Sequence, residues 1–120
     1  ATTDPKARSL EETDYVHVDW GPDFAIHHSV SYPDAVPGLS MNLGPMALAY
    51  VLKKGGAGYF RRRTVQPYLN SGALFLMPGA PQFSYPVYVV HSANADQAVL
   101  APALAGLRAL SEARIEAAAV

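Results

Sequence analysis

The chain reads as an α/β domain: a sheet of largely parallel strands with helices layered against it. From Tyr15 onward, short runs of β-branched and aromatic residues alternate with segments of helical character. The ten prolines and nine glycines fall between those runs as punctuation and do not gather into a linker. Of the 120 residues 50% are hydrophobic, enough for one domain with a core of its own.

Residues 1–14 are charged and hydrophilic and read as a solvated arm leading into the domain. Residues 15–20, Tyr15-Val16-His17-Val18-Asp19-Trp20, alternate as a strand does, and Gly21-Pro22-Asp23 turns the chain. Asp23 is placed to cap a helix over 24–32, which Pro33 stops because proline disfavours helical geometry in the residue before it. Pro37-Gly38 opens a second strand, 39–43. Gly44-Pro45 starts a helix that runs to Lys54, with proline in the first turn where its missing N–H costs nothing. Its apolar residues leave no polar face before Lys53, which predicts a buried helix stopped at Gly55 or Gly56. A short strand over 57–60, a charged loop at 61–63 and a helix from an N-cap at Thr64 to about Gly72 come next, with Pro67 in that helix's first turn. Residues 73–77 and 85–91 have strand character. Residues 95–117 form a closing helix, kinked at Pro102, with Leu100, Leu104, Leu107 and Leu110 on one stripe.

Nine basic against ten acidic side chains, a net charge of -1, lack the basic excess of a dedicated nucleic-acid-binding module. The absence of cysteine removes disulfide scaffolds, thiolate zinc sites and cysteine nucleophiles, and fits a reducing compartment; the cytoplasm is the expected location. No apolar run approaches the roughly 20 residues a membrane helix needs, and residues 1–10 carry no signal-peptide core.

Lys53-Lys54-Gly55-Gly56-Ala57-Gly58 has the composition of a phosphate loop in the wrong order, because its glycines follow a helix and open a strand. Gly44-Pro45, at a helix N-terminus, is the better anion position. Arg61 to Arg63 with the two lysines hold five of the nine basic groups and read first as a solvated loop, then as a surface for an acidic ligand. His17, His27, His28 and His91 show no metal-ligand spacing: no metal, no cofactor and no catalytic residue is expected. Trp20 and Phe24 border the first turn and Tyr59-Phe60 ends the third strand. In a parallel sheet these ends share a rim with the Gly44-Pro45 helix start, which suits a small acidic or aromatic metabolite.

The order of residues is itself informative. Val16-His17-Val18-Asp19-Trp20-Gly21, Phe24, His28, Tyr32-Pro33-Asp34, then Ala47-Leu48-Ala49-Tyr50-Val51-Leu52, Gly55-Gly56-Ala57-Gly58-Tyr59-Phe60, Tyr68-Leu69 and Gly72-Ala73-Leu74 together resemble the effector-binding domain of the LysR-type transcriptional regulators, over roughly residues 10–112. The resemblance implies a three-layer, type II periplasmic-binding-protein-like subdomain, here half of a two-subdomain unit. It assigns residues 1–14 to a crossover arm, 15–91 to the second subdomain, and 92–120 to a helix returning to a first subdomain. It implies an effector in the cleft between subdomains, whose closure alters how an oligomer presents helix-turn-helix heads to DNA. Contact with DNA is then made only through an amino-terminal domain outside this chain.

Carried over by position, the effector-binding residues are Trp20, Gly21, Phe24 and His27 around the first turn, Asn42, Gly44 and Pro45 at the second helix, and Gly58, Tyr59 and Phe60 on the third strand. The family's dimer contact falls on the elements at 24–32 and 39–43, so Phe24 and His27 serve either role. One departure is Arg61, where many members carry proline. The leucine stripe predicts self-association as a dimer or higher homo-oligomer. The expected function is non-enzymatic effector sensing in transcription regulation, with a solute-binding protein of a transport system as the alternative on the same fold.

Overall fold

The computed structural model describes residues 1–84 and 86–119. The protein is mixed α/β, and the chain divides into two units, Ala1–Tyr85 and Pro86–Val120. The first unit holds β1 (Tyr15–Val18), α1 (Pro22–Ser31), β2 (Leu39–Met41), α2 (Gly44–Lys54), β3 (Ala57–Gly58) and α3 (Arg62–Ser71). Its three strands lie in the order β2-β1-β3 and all pair in parallel, Val16 with Leu39 on one side and with Gly58 on the other.

Alternation along β1 sorts the layers. Val16 and Val18 point to a core shared with Ala47, Leu48 and Val51 of α2, Val65 of α3, and Leu74. Tyr15 and His17 point the other way, where their rings meet Phe24 and His28 of α1. Helices therefore cover both faces, as a parallel sheet requires.

Helix starts follow backbone chemistry more than side-chain caps. Gly21, with φ of 96°, is the N-cap of α1 in place of the expected Asp23, which sits in the first turn. α2 occupies the range predicted from Gly44-Pro45 and ends where the Gly55 N–H bonds to Val51 O. Only its inner face is buried, however: Met46 and Tyr50 are exposed, because a sheet layer covers one side of a helix. α3 begins earlier than expected, with Arg61 and not Thr64 as N-cap, so Arg62 and Arg63 form its first turn and Pro67 lies inside it. Gly72, in the left-handed conformation, closes α3 as predicted.

The amino-terminal residues are no solvated arm. Gly58 N–H donates to Ala1 O (2.9 Å), Thr3 N–H to Gly56 O (3.0 Å), and Thr2 exchanges two bonds with Phe75 (2.9 and 2.8 Å). Thr2 thus stands where a fourth strand would, bridging Ala57 and Phe75, and Ala7 and Leu10 are buried with it. Of the strand expected over 73–77, only the Phe75 bridge forms, since its single neighbour is Thr2.

The second unit carries α4 (Gln97–Ala119), whose start is capped by the Asp96 carboxylate accepting the Ala98 N–H at 2.9 Å. Pro102 lies inside α4. Leu100 and Leu104 are half-buried, while Leu107 and Leu110 are exposed. The strand predicted over 85–91 does not form at 86–91, where Val87, Tyr88, Val89 and Val90 are exposed; Tyr85 lies outside the described residues. β-propensity there meets no partner strand, and without a ladder it cannot fix a strand. Among the described residues, no helix is long and apolar enough to cross a membrane.

Candidate functional site

In an open parallel sheet, ligands bind beyond the carboxyl ends of the strands where the chain reverses its direction of travel across the sheet. Here the reversal falls at β1: the chain moves out to β2 and returns past β1 to β3. The segments leaving β1 and β3 therefore flank the crevice, and they are Asp19-Trp20-Gly21 and Tyr59-Phe60-Arg61.

Trp20 joins the two. Its indole N–H donates to Tyr59 O at 2.8 Å, and the Arg61 guanidinium stands over the ring, 5.7 Å from its centroid. The ring also lies on the start of α2: a Cβ built on Gly44 would come within 2.5 Å of Trp20 Cη2. Glycine at 44 is thus a steric requirement for the seat of Trp20. The Asp19 carboxylate accepts the Gly21 N–H at 2.8 Å and shapes the turn that aims Trp20. Gly58 packs under Phe60, whose ring a Cβ there would strike.

Behind the crevice, on the α1 face, lies a continuous aromatic cluster. His28 stacks on Tyr15 (centroids 5.6 Å apart, 10° between planes) and touches His17, Phe24, Tyr32, Tyr59 and Phe83. The Tyr15 hydroxyl meets His28 Nε2 at 2.8 Å and His17 Nδ1 at 3.3 Å. A second chain of bonds runs from Tyr32 Oη to Tyr59 Oη (3.0 Å), with the Tyr59 hydroxyl also donating to Pro81 O (3.1 Å). Burial lowers the His28 pKa, and the neighbouring His17 lowers it further. Burial raises the Tyr15 and Tyr59 pKa values well above that of a free tyrosine, with Tyr32 adding to both. The cluster therefore holds protonated hydroxyls and a histidine that favours its neutral form.

Of the ten residues expected at the site, Trp20, Gly44 and Tyr59 meet directly, Gly58 and Phe60 adjoin them, and Gly21 borders the same turn. Phe24 belongs to the aromatic cluster and reaches Tyr59 at 5.7 Å. Asn42 and Pro45 are exposed at the α2 start, and His27 is exposed on the outside of α1. The inward histidine is His28, 7% exposed. Four-residue helical spacing from Phe24 gives His28 and then Tyr32, so the sequence did contain that signal. Tyr15, His17, Phe83 and Arg61 complete the two groupings.

A separate hollow of about 290 Å³ opens beside the amino end of β1, lined by Leu10, Glu11, Thr13, Tyr15, Asp34 and neighbours. Among the described residues, no group of three histidine or acidic side chains could hold a metal ion. Chemically, the rim gathers the indole ring with the Arg61 guanidinium over it and the positive end of α2, a combination suited to a flat or anionic small molecule. Comparison with known proteins found no family model, no curated protein and no solved structure that matches this chain.

Proposed function

We propose that this chain is the distal half of the effector-binding domain of a LysR-type transcriptional regulator, with a type II periplasmic-binding-protein-like fold. It senses a small acidic or aromatic metabolite and performs no catalysis. The observation that carries the reading is the juxtaposition of Trp20, Gly44, Tyr59 and Arg61 at the carboxyl-end reversal of the β2-β1-β3 sheet. The ordered resemblance of residues 10–112 to that family supports it from a separate direction. In this reading the effector sits between this unit and a second α/β subdomain, the oligomer is a dimer or higher, and the protein acts in the cytoplasm. DNA is contacted by an amino-terminal helix-turn-helix encoded upstream of Ala1.

Translating the reading frame upstream of Ala1 tests the assignment. A helix-turn-helix, a linker helix and another α/β half are expected. A signal peptide with no DNA-binding segment would overturn the proposal in favour of a solute-binding protein. The crevice is tested by fluorescence, because Trp20 is the only tryptophan. A panel of aromatic and aliphatic carboxylic acids added to the intact regulator, with any tryptophan outside these 120 residues replaced by phenylalanine, should include one that changes Trp20 emission saturably, with the response weakened at least several-fold in Arg61→Ala. A binder that leaves Trp20 emission unchanged would place the effector elsewhere.

A further inference from the structure

Two histidines in the aromatic cluster share one hydroxyl, and the way its hydrogen points is set by their protonation and tautomers. With His28 neutral, the Tyr15 O–H donates to His28 Nε2 at 2.8 Å, leaving the Tyr15 oxygen to accept from His17 Nδ1 at 3.3 Å. Every buried side-chain polar atom among the described residues then has a partner. A proton on His28 turns Nε2 from acceptor into donor. The Tyr15 O–H must then turn to His17 Nδ1 across the longer contact of 3.3 Å, with His17 in its Nε2–H form, and the new charge on His28, 7% exposed, stands in a site walled by Phe24, Tyr59 and Phe83.

The same walls hold a strap. Phe83 packs on Phe24 (5.4 Å), His28 (6.4 Å) and Tyr59 (5.0 Å), and Pro81 O accepts the Tyr59 hydroxyl. Residues 78–84 are thereby seated on the cluster just before the first unit ends at Tyr85. We propose that His17, Tyr15 and His28 form a proton-operated clasp on this strap: neutral His28 keeps residues 78–84 seated, and protonated His28 releases them.

The groups facing His28 leave its charge unanswered. They are Tyr15 and His17 from β1, Tyr32 from the end of α1, Tyr59 from the segment after β3, and the uncharged rings of Phe24 and Phe83. Among the described residues, no carboxylate is one of them. Asp19, which follows β1, is exposed and engaged with the Gly21 N–H, and His27, the neighbour on α1, is exposed. The depressed His28 pKa agrees with this arrangement, since burial and His17 both oppose the charge. Tyr59 carries the change onward, because its carbonyl accepts the Trp20 indole N–H while its hydroxyl holds Pro81.

The test is a heteronuclear NMR titration of the 120-residue chain from about pH 7.5 to about 5, the range in which histidine charge changes. The signals followed are the His28 and His17 rings, the Phe83 ring, the Trp20 indole N–H, and the methyls of Val51 and Leu74 as a control on the opposite sheet face. The expected result is that Phe83 and Trp20 shift with the His28 midpoint while the control methyls stay. In His28→Gln, which keeps an acceptor for Tyr15, the Phe83 and Trp20 steps should vanish. In His17→Gln, the His28 midpoint should rise toward the ordinary histidine value. The proposal is overturned if Phe83 and Trp20 stay fixed while His28 titrates, if their steps survive in His28→Gln, or if the control methyls move with them.

Discussion

On one face of β1, Val16 and Val18 meet Ala47, Leu48, Val51, Val65 and Leu74, a core whose side chains contain no polar atom. On the other face, Tyr15 and His17 meet His28, Tyr32 and Tyr59, and nearly every ring carries a hydrogen-bonding atom with a partner. The two layers share one strand of four residues, Tyr15–Val18, and differ only in the parity of the positions that feed them. The two faces divide the labour. The aliphatic face stabilises through area removed from water and close packing, which are indifferent to pH. The aromatic face holds directional bonds that fix ring positions near the crevice, and those bonds depend on protonation.

The largest effect should come from the aliphatic face. Leu74 is 1% exposed, and Leu74→Ala removes buried methyl groups from the middle of that core. A loss of about 2–5 kcal/mol in chemical denaturation is expected, with the same loss at pH 8 and at pH 6. A loss that varied with pH would show that the two faces are coupled.

Tyr15→Phe probes the aromatic face with almost no change of volume. It removes the hydroxyl that His28 and His17 share, leaving His28 Nε2 without its partner in a buried place. The cost expected is about 1–3 kcal/mol, measured the same way, together with a rise in the His28 proton affinity. Gly44→Ala acts at the crevice. The new methyl needs the space of the Trp20 ring, so the indole must leave its seat, its bond to Tyr59 O breaks, and its emission moves to the red. A stability loss of about 1–3 kcal/mol is expected, and an unshifted emission spectrum would show that Trp20 is not held as described.

The same contrast explains how far the sequence could be read. Alternation over 15–20 and the Gly44-Pro45 start of α2 are local signals; β1 formed over the first four of those six residues, and α2 over the whole expected range. Thr2 could not be read this way, because a single residue bridging Ala57 and Phe75 has no period and its partners are more than fifty positions distant. Val87 to Val90 failed in the opposite sense: the residues favour a strand, yet a strand needs a neighbour that the local sequence does not name. At the site, Trp20, Phe24, Tyr59, Phe60 and the Gly44-Pro45 helix start stand out by residue type and place, whereas Gly21 and Gly58 enter only through the family resemblance. The His28 cluster is assembled from β1, α1, the segment after β3 and the strap at 78–84, and only its α1 part, Phe24, His28 and Tyr32, shows a spacing visible in one dimension.

The smallest effect is the one that separates the two faces most cleanly. A histidine whose pKa is lower in the folded chain than in the unfolded chain binds its proton better when unfolded, so acid favours unfolding. Stability owed to neutral His28 is thus fully present above the unfolded value of about 6.5 and is lost as the pH falls through the lower folded value. Urea midpoints measured between pH 8 and pH 5 should be flat at the upper end and decline below about 6.5, with no more than one proton's worth of slope from this group. In His28→Gln that part of the slope should disappear, whereas in Leu74→Ala the whole curve should drop and keep its shape. If His28→Gln kept the wild-type slope, the pH dependence would belong to groups outside the aromatic face, and the assignment of proton sensitivity to one side of β1 would fail.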